Sequence, residues 1–328
     1  MLEEKIGYLK EYPLNIKIFH IKYYPFHVHD DTEALYVLKG TVTLKCGSSI
    51  YDLQEGDVFI INDTEVHGIY NCSEDSIVMS IHINVQFFTK EFPYLPDTVY
   101  RTANKDRTNT DIVDLRLFIL KIALNHYLRQ EMFVSDNIAL VKDLIRFMDI
   151  NFSFFYFDGK TVMQRKSNKM DLDERLSKII RHIYRHHNEK ISLAELAEQN
   201  YISNYHISHL ITEGIGLNFR ELLGFARVEE SERFLLGSNK KISSIAKDVG
   251  FSTTAYYEKY FKKWFGYSPK EYREMYKDRV KGACPELLME ITDERALHIL
   301  TASLNNVAEY AEYDDSVFKE AREKLYTN

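Results

Sequence analysis

The tightest restriction on this chain is an internal repeat. Residues 191–216, ISLAELAEQNYISNYHISHLITEGIG, and 242–266, ISSIAKDVGFSTTAYYEKYFKKWFG, match one another at an offset of fifty. In each copy a short helix carries a small residue, Ala197 or Ala246, where a second helix must cross closely. A turn, a capping hydroxyl (Ser203, Thr253) and a second helix closed by Gly216 or Gly266 follow. The pattern is a helix-turn-helix twice over. Within the second helices, Ile207, Leu210 and Ile211, and likewise Tyr257, Tyr260 and Phe261, stand at i, i+3 and i+4 and face a core. Their free faces are Asn204, Tyr205, Ser208 and His209 in the first copy, and Thr254, Ala255, Glu258 and Lys259 in the second. Short polar side chains and an aromatic at the start of a helix suit base edges in a major groove, although plain solvent exposure explains any one of them equally well. NFRELLGFARVEESERFLL between the copies opens with a capping box, Asn218 and Glu221, and reads as one long helix fixing their spacing.

The net charge of −7 argues against a polyanion only until it is partitioned. Residues 240–280 hold ten Lys and Arg against five acids, including Lys262 and Lys263 just past the second free face and Arg273 after Pro269. The first copy has Ile211, Thr212 and Glu213 there instead, so phosphate anchoring is expected from the second copy and sequence choice from both.

Upstream, from Ile16 to Phe88, the period is two: ALYVLKGTVTLKC reads as two strands about a Lys39-Gly40 turn, and DVFII and SIVMSIHINV as further strands of a small barrel or sandwich. DIVDLRLFILKIALNHYLRQE and SDNIALVKDLIRFMDINF form a helical hairpin, the second helix capped by Ser135 or Asp136. Its stripe of Ile112, Leu115, Ile119, Ile122, Leu140, Leu144, Phe147 and Met148 suits either a second subunit or the barrel. The polar stretch 158–171 reads as a linker, and PELLMEI, ERALHILTASLNNVAEYA and DSVFKEAREKL as amphipathic helices of a C-terminal extension without assigned function. This gives an α+β multidomain chain: a β-barrel over 1–105, the hairpin over 106–157, the linker, an all-α double helix-turn-helix over 172–280 and a helical extension over 281–328. Three scattered cysteines support neither a disulfide framework nor a thiolate zinc site. With no signal-like start and no membrane-length apolar run, a cytoplasmic protein without membrane contact is expected.

In the β-rich part His27 and His29 alternate onto one strand face, and a barrel can bring Glu33 and His67 beside them. These four can hold a divalent transition metal, hydrogen-bond a small effector, or serve the fold alone. His82 points into the same space more weakly. No cofactor is required.

GFSTTAYYEKYFKKWFGYSPKEYR, 250–273, resembles the second-half signature of the AraC/XylS family of bacterial transcription regulators, and residues 172–277 its DNA-binding domain. The resemblance implies base reading by Tyr205, Ser208 and His209 and by Thr254, Ala255, Glu258 and Lys259. Glu258 replaces a more usual small polar residue. His27-x-His29-x3-Glu33-x6-Gly40 and Gly56-x5-Asn62-x-Thr64-x2-His67-x3-Asn71 resemble the two cupin motifs, with Asn62 and Thr64 in place of Pro and Gly. Together they imply a DNA-binding regulator with an effector sensor, similar to the sugar-responsive members of the family. Its partners would be duplex DNA, a small molecule, a second copy in a homodimer, and RNA polymerase. A cupin metalloenzyme with a DNA-binding tail is the alternative.

Overall fold

The computed structural model describes residues 3–63, 65–93, 95–100, 102, 109–128, 133–152, 155–157, 162–164, 170–280 and 288–308. The β-rich part comprises Leu14–Ile21 (β1), Tyr24–His27 (β2), Thr32–Lys39 (β3), Thr41–Cys46 (β4), Ser49–Gln54 (β5), Val58–Ile61 (β6), His67–Tyr70 (β7) and Ile77–Ile83 (β8). The choice between barrel and sandwich resolves into two antiparallel sheets: β1-β8-β3-β6 with a further edge strand beside β1, and β2-β7-β4-β5. No closed barrel forms among the described residues. The two strands flanking Lys39-Gly40 are not a hairpin, because β3 pairs with β8 and β6 while β4 pairs with β5 and β7. Gly40, at φ 79°, turns the chain from one sheet to the other, and a Cβ there would run into Ser73 and Ser76.

A short helix, Val85–Phe88 (α1), leads to the hairpin, Thr110–Tyr127 (α2) and Phe133–Phe152 (α3). α3 begins before Ser135 and Asp136, so both lie in its first turn rather than at its cap. Leu115, Ile119, Ile122, Leu144 and Met148 are buried with Ile16, Ile60 and Ile81 of the first sheet, and Leu140 and Phe147 pack against the same core. The stripe offered for a second subunit is thus spent inside this chain. Phe155–Phe157 (β9) pairs with Val162–Gln164 (β10), and the rest of the expected linker lies outside the described residues apart from its last two positions.

The all-α part contains Met170–Arg185 (α4), Leu193–Gln199 (α5), Asn204–Ile215 (α6), Phe219–Gly237 (α7), Ile242–Asp248 (α8), Thr254–Phe265 (α9) and Pro269–Tyr276 (α10). The repeat is less regular than its single offset: α5 and α8 are shifted by 49 residues, α6 and α9 by 50. Ser252 is the extra turn residue. Ring packing of Trp264 on Phe225, with centroids 4.6 Å apart, and of Tyr260 over Gly224 clamps α9 onto α7.

The C-terminal extension departs from its expected form. Part of PELLMEI is a strand, Leu288–Glu290 (β11), on the free edge of β1, because three residues beside an open ladder gain backbone partners that an isolated helical turn lacks. Asp293–Ala308 (α11) is helical as read, and Ala296, Leu300, Leu304 and Val307 enter the same core as α2. DSVFKEAREKL lies outside the described residues. So does Cys284, while Cys46 and Cys72 are not joined in a disulfide, and Cys46 Sγ donates to Glu65 Oε2 at 3.6 Å. No described helix is long and apolar enough to cross a membrane.

The second sheet packs on the second helix-turn-helix. Phe26, Val28 and Val66 share a core with Val228, Leu235, Phe261 and Tyr272. In it Lys45 Nζ lies 2.6 Å from Glu232 Oε1 and donates to the Gly47 carbonyl at 2.6 Å. Phe26, Phe265, Tyr272 and Tyr276 surround the ammonium at 5.2–5.9 Å from the ring centroids.

Candidate functional site

Pleat alternation sends one face of each strand between the two sheets, and there His27, His29, Glu33 and His67 meet with ligand atoms within 4.8 Å of one another. The carboxylate is the centre. Glu33 Oε2 lies 3.2 Å from His29 Nε2, 3.2 Å from His67 Nε2 and 3.8 Å from His82 Nε2. Side-chain exposure is 12% for His27, 11% for His82 and lower for the rest.

Backbone carbonyls decide which ring nitrogens face this centre. His27 Nδ1 sits 2.9 Å from Pro25 O, His29 Nδ1 2.9 Å from Asp31 O and His67 Nδ1 2.8 Å from Glu65 O. A carbonyl only accepts, so each Nδ1 donates, and in the neutral rings the Nε2 lone pairs point inward. Ser80 donates its hydroxyl to Glu33 Oε1 at 2.6 Å and lies 3.3 Å from His82 Nδ1, which fixes the same tautomer in His82. Lone pairs facing a carboxylate at 3.2 Å repel unless a cation lies between them, either a proton or a metal ion. His67 Nε2 and His82 Nε2 are buried without a hydrogen-bond partner. Ligands bound at ~2.0–2.2 Å in tetrahedral or octahedral shells stand roughly 2.8–3.6 Å apart, and the 3.2 Å from Glu33 Oε2 to His29 Nε2 and to His67 Nε2 falls in that range. The donor set therefore fits a divalent transition ion.

The electrostatics agree. Burial works against the Glu33 carboxylate, but His82, His29 and His67 outweigh it and hold its pKa well below the usual range. Burial, reinforced by His67, pushes His27 well below its ordinary value, and burial pushes His82 down to about 4. For His29 burial is outweighed by Glu33, so its pKa rises.

Sequence reasoning missed several neighbours. Ser80 was findable, since it alternates with His82 on β8. Glu4 was not: it accepts from Tyr24 OH at 2.9 Å and lies 3.3 Å from His27 Nε2, brought there by the Glu4 N–H bond to Val28 O. The cavity over the cluster, about 300 Å³, is also lined by Lys17, Phe19, Leu288 and Glu290. Asn62 is structural, clasping both backbone groups of Tyr100, and Thr64 lies outside the described residues.

In the all-α part the expected faces form. Ser203 caps α6 through the His206 N–H, Thr253 caps α9 through the Tyr256 N–H, and Gly216 and Gly266 close both helices at φ near 80°. Asn204, Tyr205, His209, Ala255, Glu258, Lys259, Lys262 and Lys263 are exposed, while Ser208 and Thr254 are half-buried. Two cations are committed elsewhere: Lys263 Nζ pairs with Glu221 Oε1 at 2.7 Å, and Arg273 Nε donates to the Leu235 carbonyl at 2.9 Å. Charge counting cannot see such partners. Tyr201 was also missed: it is 96% exposed, with φ 55°, in the turn before α6.

Residues 196–275 match the helix-turn-helix domain family and residues 22–84 the cupin domain family. An uncharacterized HTH-type transcriptional regulator of Staphylococcus aureus strain COL is 24% identical over 238 residues, 73% of this chain and 31% of that protein. The regulatory protein PocR of Salmonella typhimurium is 30% identical over 102 residues, 31% of this chain and 34% of its own. The chain thus spans about a third of the length of the curated relatives it matches. Among solved structures, ToxT of Vibrio cholerae O395 is 16% identical with a TM-score of 0.41, covering 80% of this chain and 98% of that one. The C-terminal domain of AraT, a response regulator from Geobacillus stearothermophilus, is 30% identical with a TM-score of 0.30, covering 32% and 87%. The chain thus joins a segment that matches the cupin domain family to one that matches the helix-turn-helix domain family.

Proposed function

We propose that this chain is a sequence-specific DNA-binding transcription regulator of the cytoplasm, and that its cupin pocket takes a small-molecule effector beside a divalent transition metal. One observation carries the reading: two capped helices with exposed polar faces are mounted on a single helix, α7, in the same chain as a buried cluster of inward-aimed imidazoles. The relatives named as transcriptional regulators support it over a cupin enzyme with a DNA-binding tail.

Asn204, Tyr205, Ser208 and His209 read one major groove, and Thr254, Ala255, Glu258 and Lys259 the next, with Lys262 on phosphate. His27, His29, Glu33 and His67 hold the ion, which supplies a Lewis-acidic point for an effector oxygen or nitrogen. His82 and Ser80 orient the effector from β8. Occupancy shifts how the second sheet holds the second helix-turn-helix, and so which DNA sites are filled. A homodimer would use the outer side of the hairpin, where Ile150 is exposed, since the inner stripe is spent. RNA polymerase is the downstream partner.

The test is selection of fragments from sheared genomic DNA by the full chain at moderate salt, followed by sequencing. Recurrent enrichment of a few fragments is the expected result; recovery no better than for random duplex sinks the reading.

A further inference from the structure

The C-terminal extension had no role from sequence, and the structure ties part of it to the pocket. β11 lies antiparallel to β1, with Leu288 opposite Ile21 and Glu290 opposite Phe19, and the Ile291 N–H donates to the Ile18 carbonyl at 3.1 Å. α11 holds it there through Ala296, Leu300, Leu304 and Val307. Alternation then orients its side chains: Met289 faces solvent, while Leu288 and Glu290 line the cavity beside Phe19 and Lys17.

We propose that this strand is part of the effector site and that Leu288 and Glu290 select the far end of the ligand. The inference rests on the reading of the cavity as the effector pocket. β11 stands two strand spacings from β8, roughly 10 Å at ~4.8 Å each, and β8 carries His82. A ligand that reaches from the imidazole cluster to β11 is an elongated small molecule. Its head presents a donor atom to the histidines or their ion, its middle is apolar where it passes Phe19 and Leu288, and its far end is polar between Glu290 and Lys17. A cavity of about 300 Å³ accommodates such a molecule. Val280, the last residue of the DNA-binding half, is separated from Leu288 by seven residues, a reach of at most roughly 28 Å. A ligand that displaces β11 therefore moves a tether of that half.

The test has two arms on the full chain. In metal-free protein, diethyl pyrocarbonate acylation of His67 and His82 is followed by mass spectrometry. Leu288→Trp, which fills the cavity, should slow it several-fold, and Leu288→Gly, which opens the wall, should speed it. Rates unchanged in both variants overturn the proposal. In cobalt-loaded protein, imidazole and 4-phenylimidazole are titrated against the visible spectrum. Leu288→Trp should weaken 4-phenylimidazole at least tenfold and leave imidazole unchanged, because only the longer probe reaches β11. Equal effects on both probes, or none, overturn it. Failure of the wild type to take up cobalt would refute the metal in the pocket, not the wall, which the acylation rates then decide.

Discussion

Tyr201 and Gly250 occupy the same place in the two copies, two residues beyond α5 and α8, and both have left-handed backbone, φ 55° and 89°. At Gly250 the reason is steric, since a Cβ would meet the backbone of Asn188 at 2.9 Å. At Tyr201 the side chain stands almost wholly in solvent, where a bulky residue with positive φ costs about 1–2 kcal/mol and gains no packing in return. Tyr201→Asn, which tolerates this backbone, should raise stability by about 0.5–1 kcal/mol in urea melts while weakening DNA binding several-fold. Loss of stability, or unchanged affinity, would show that the ring serves the fold or nothing. At the imidazole cluster, purified protein should hold near one equivalent of a transition metal by elemental analysis. A chelator should lower the Tm of the wild type and leave that of the His29→Ala/His67→Ala variant unmoved, because an ion bound only to the folded chain stabilises it.

The two helices proposed to read DNA differ as elements, α9 carrying Lys259, Lys262 and Lys263 and α6 no Lys or Arg. Lys262→Ala should weaken binding to all sequences alike and reduce the salt slope by about one unit. Lys263→Ala should do less, since its ammonium is held by the Glu221 cap. Tyr205→Ala and His209→Ala should instead relax base preference in one half-site, as read by selection from randomised duplexes at two salt concentrations. If the lysine variant shifts preference and the others lose affinity uniformly, the division of roles is wrong. These helices were legible because caps, glycine stops and an i, i+3, i+4 stripe are local signals that agree with one another. Leu288–Glu290 was not, because a three-residue edge strand carries almost no period and its partner, β1, lies some 270 residues upstream. Arg273 misled for a related reason: its charge is visible in the sequence, but the carbonyl of Leu235 that takes it is visible only in the fold.

At the scale of the molecule, the contact between the halves turns on Lys45 and Glu232, both almost fully buried, with Tyr272 donating its hydroxyl to the same carboxylate. Lys45→Met strands a buried acid and should cost about 3–5 kcal/mol, whereas Lys45→Met/Glu232→Leu, which replaces the pair by apolar groups, should recover most of it. Urea melts of both variants check this, and equal loss in both would mean that the pair is not what holds the interface. The return of α11 to the first core has a consequence for synthesis. Ala296, Leu300, Leu304 and Val307 complete a core begun at Tyr12, so the cupin half stays open at one side until these residues, which follow the whole helix-turn-helix half, have been made. Among the described residues, the cores of the helix-turn-helix half contain nothing made later than Val280. On the proposed function, the part that reads DNA can close its cores before the part that senses the effector has closed its own, and α11 is the piece for which the sensor waits.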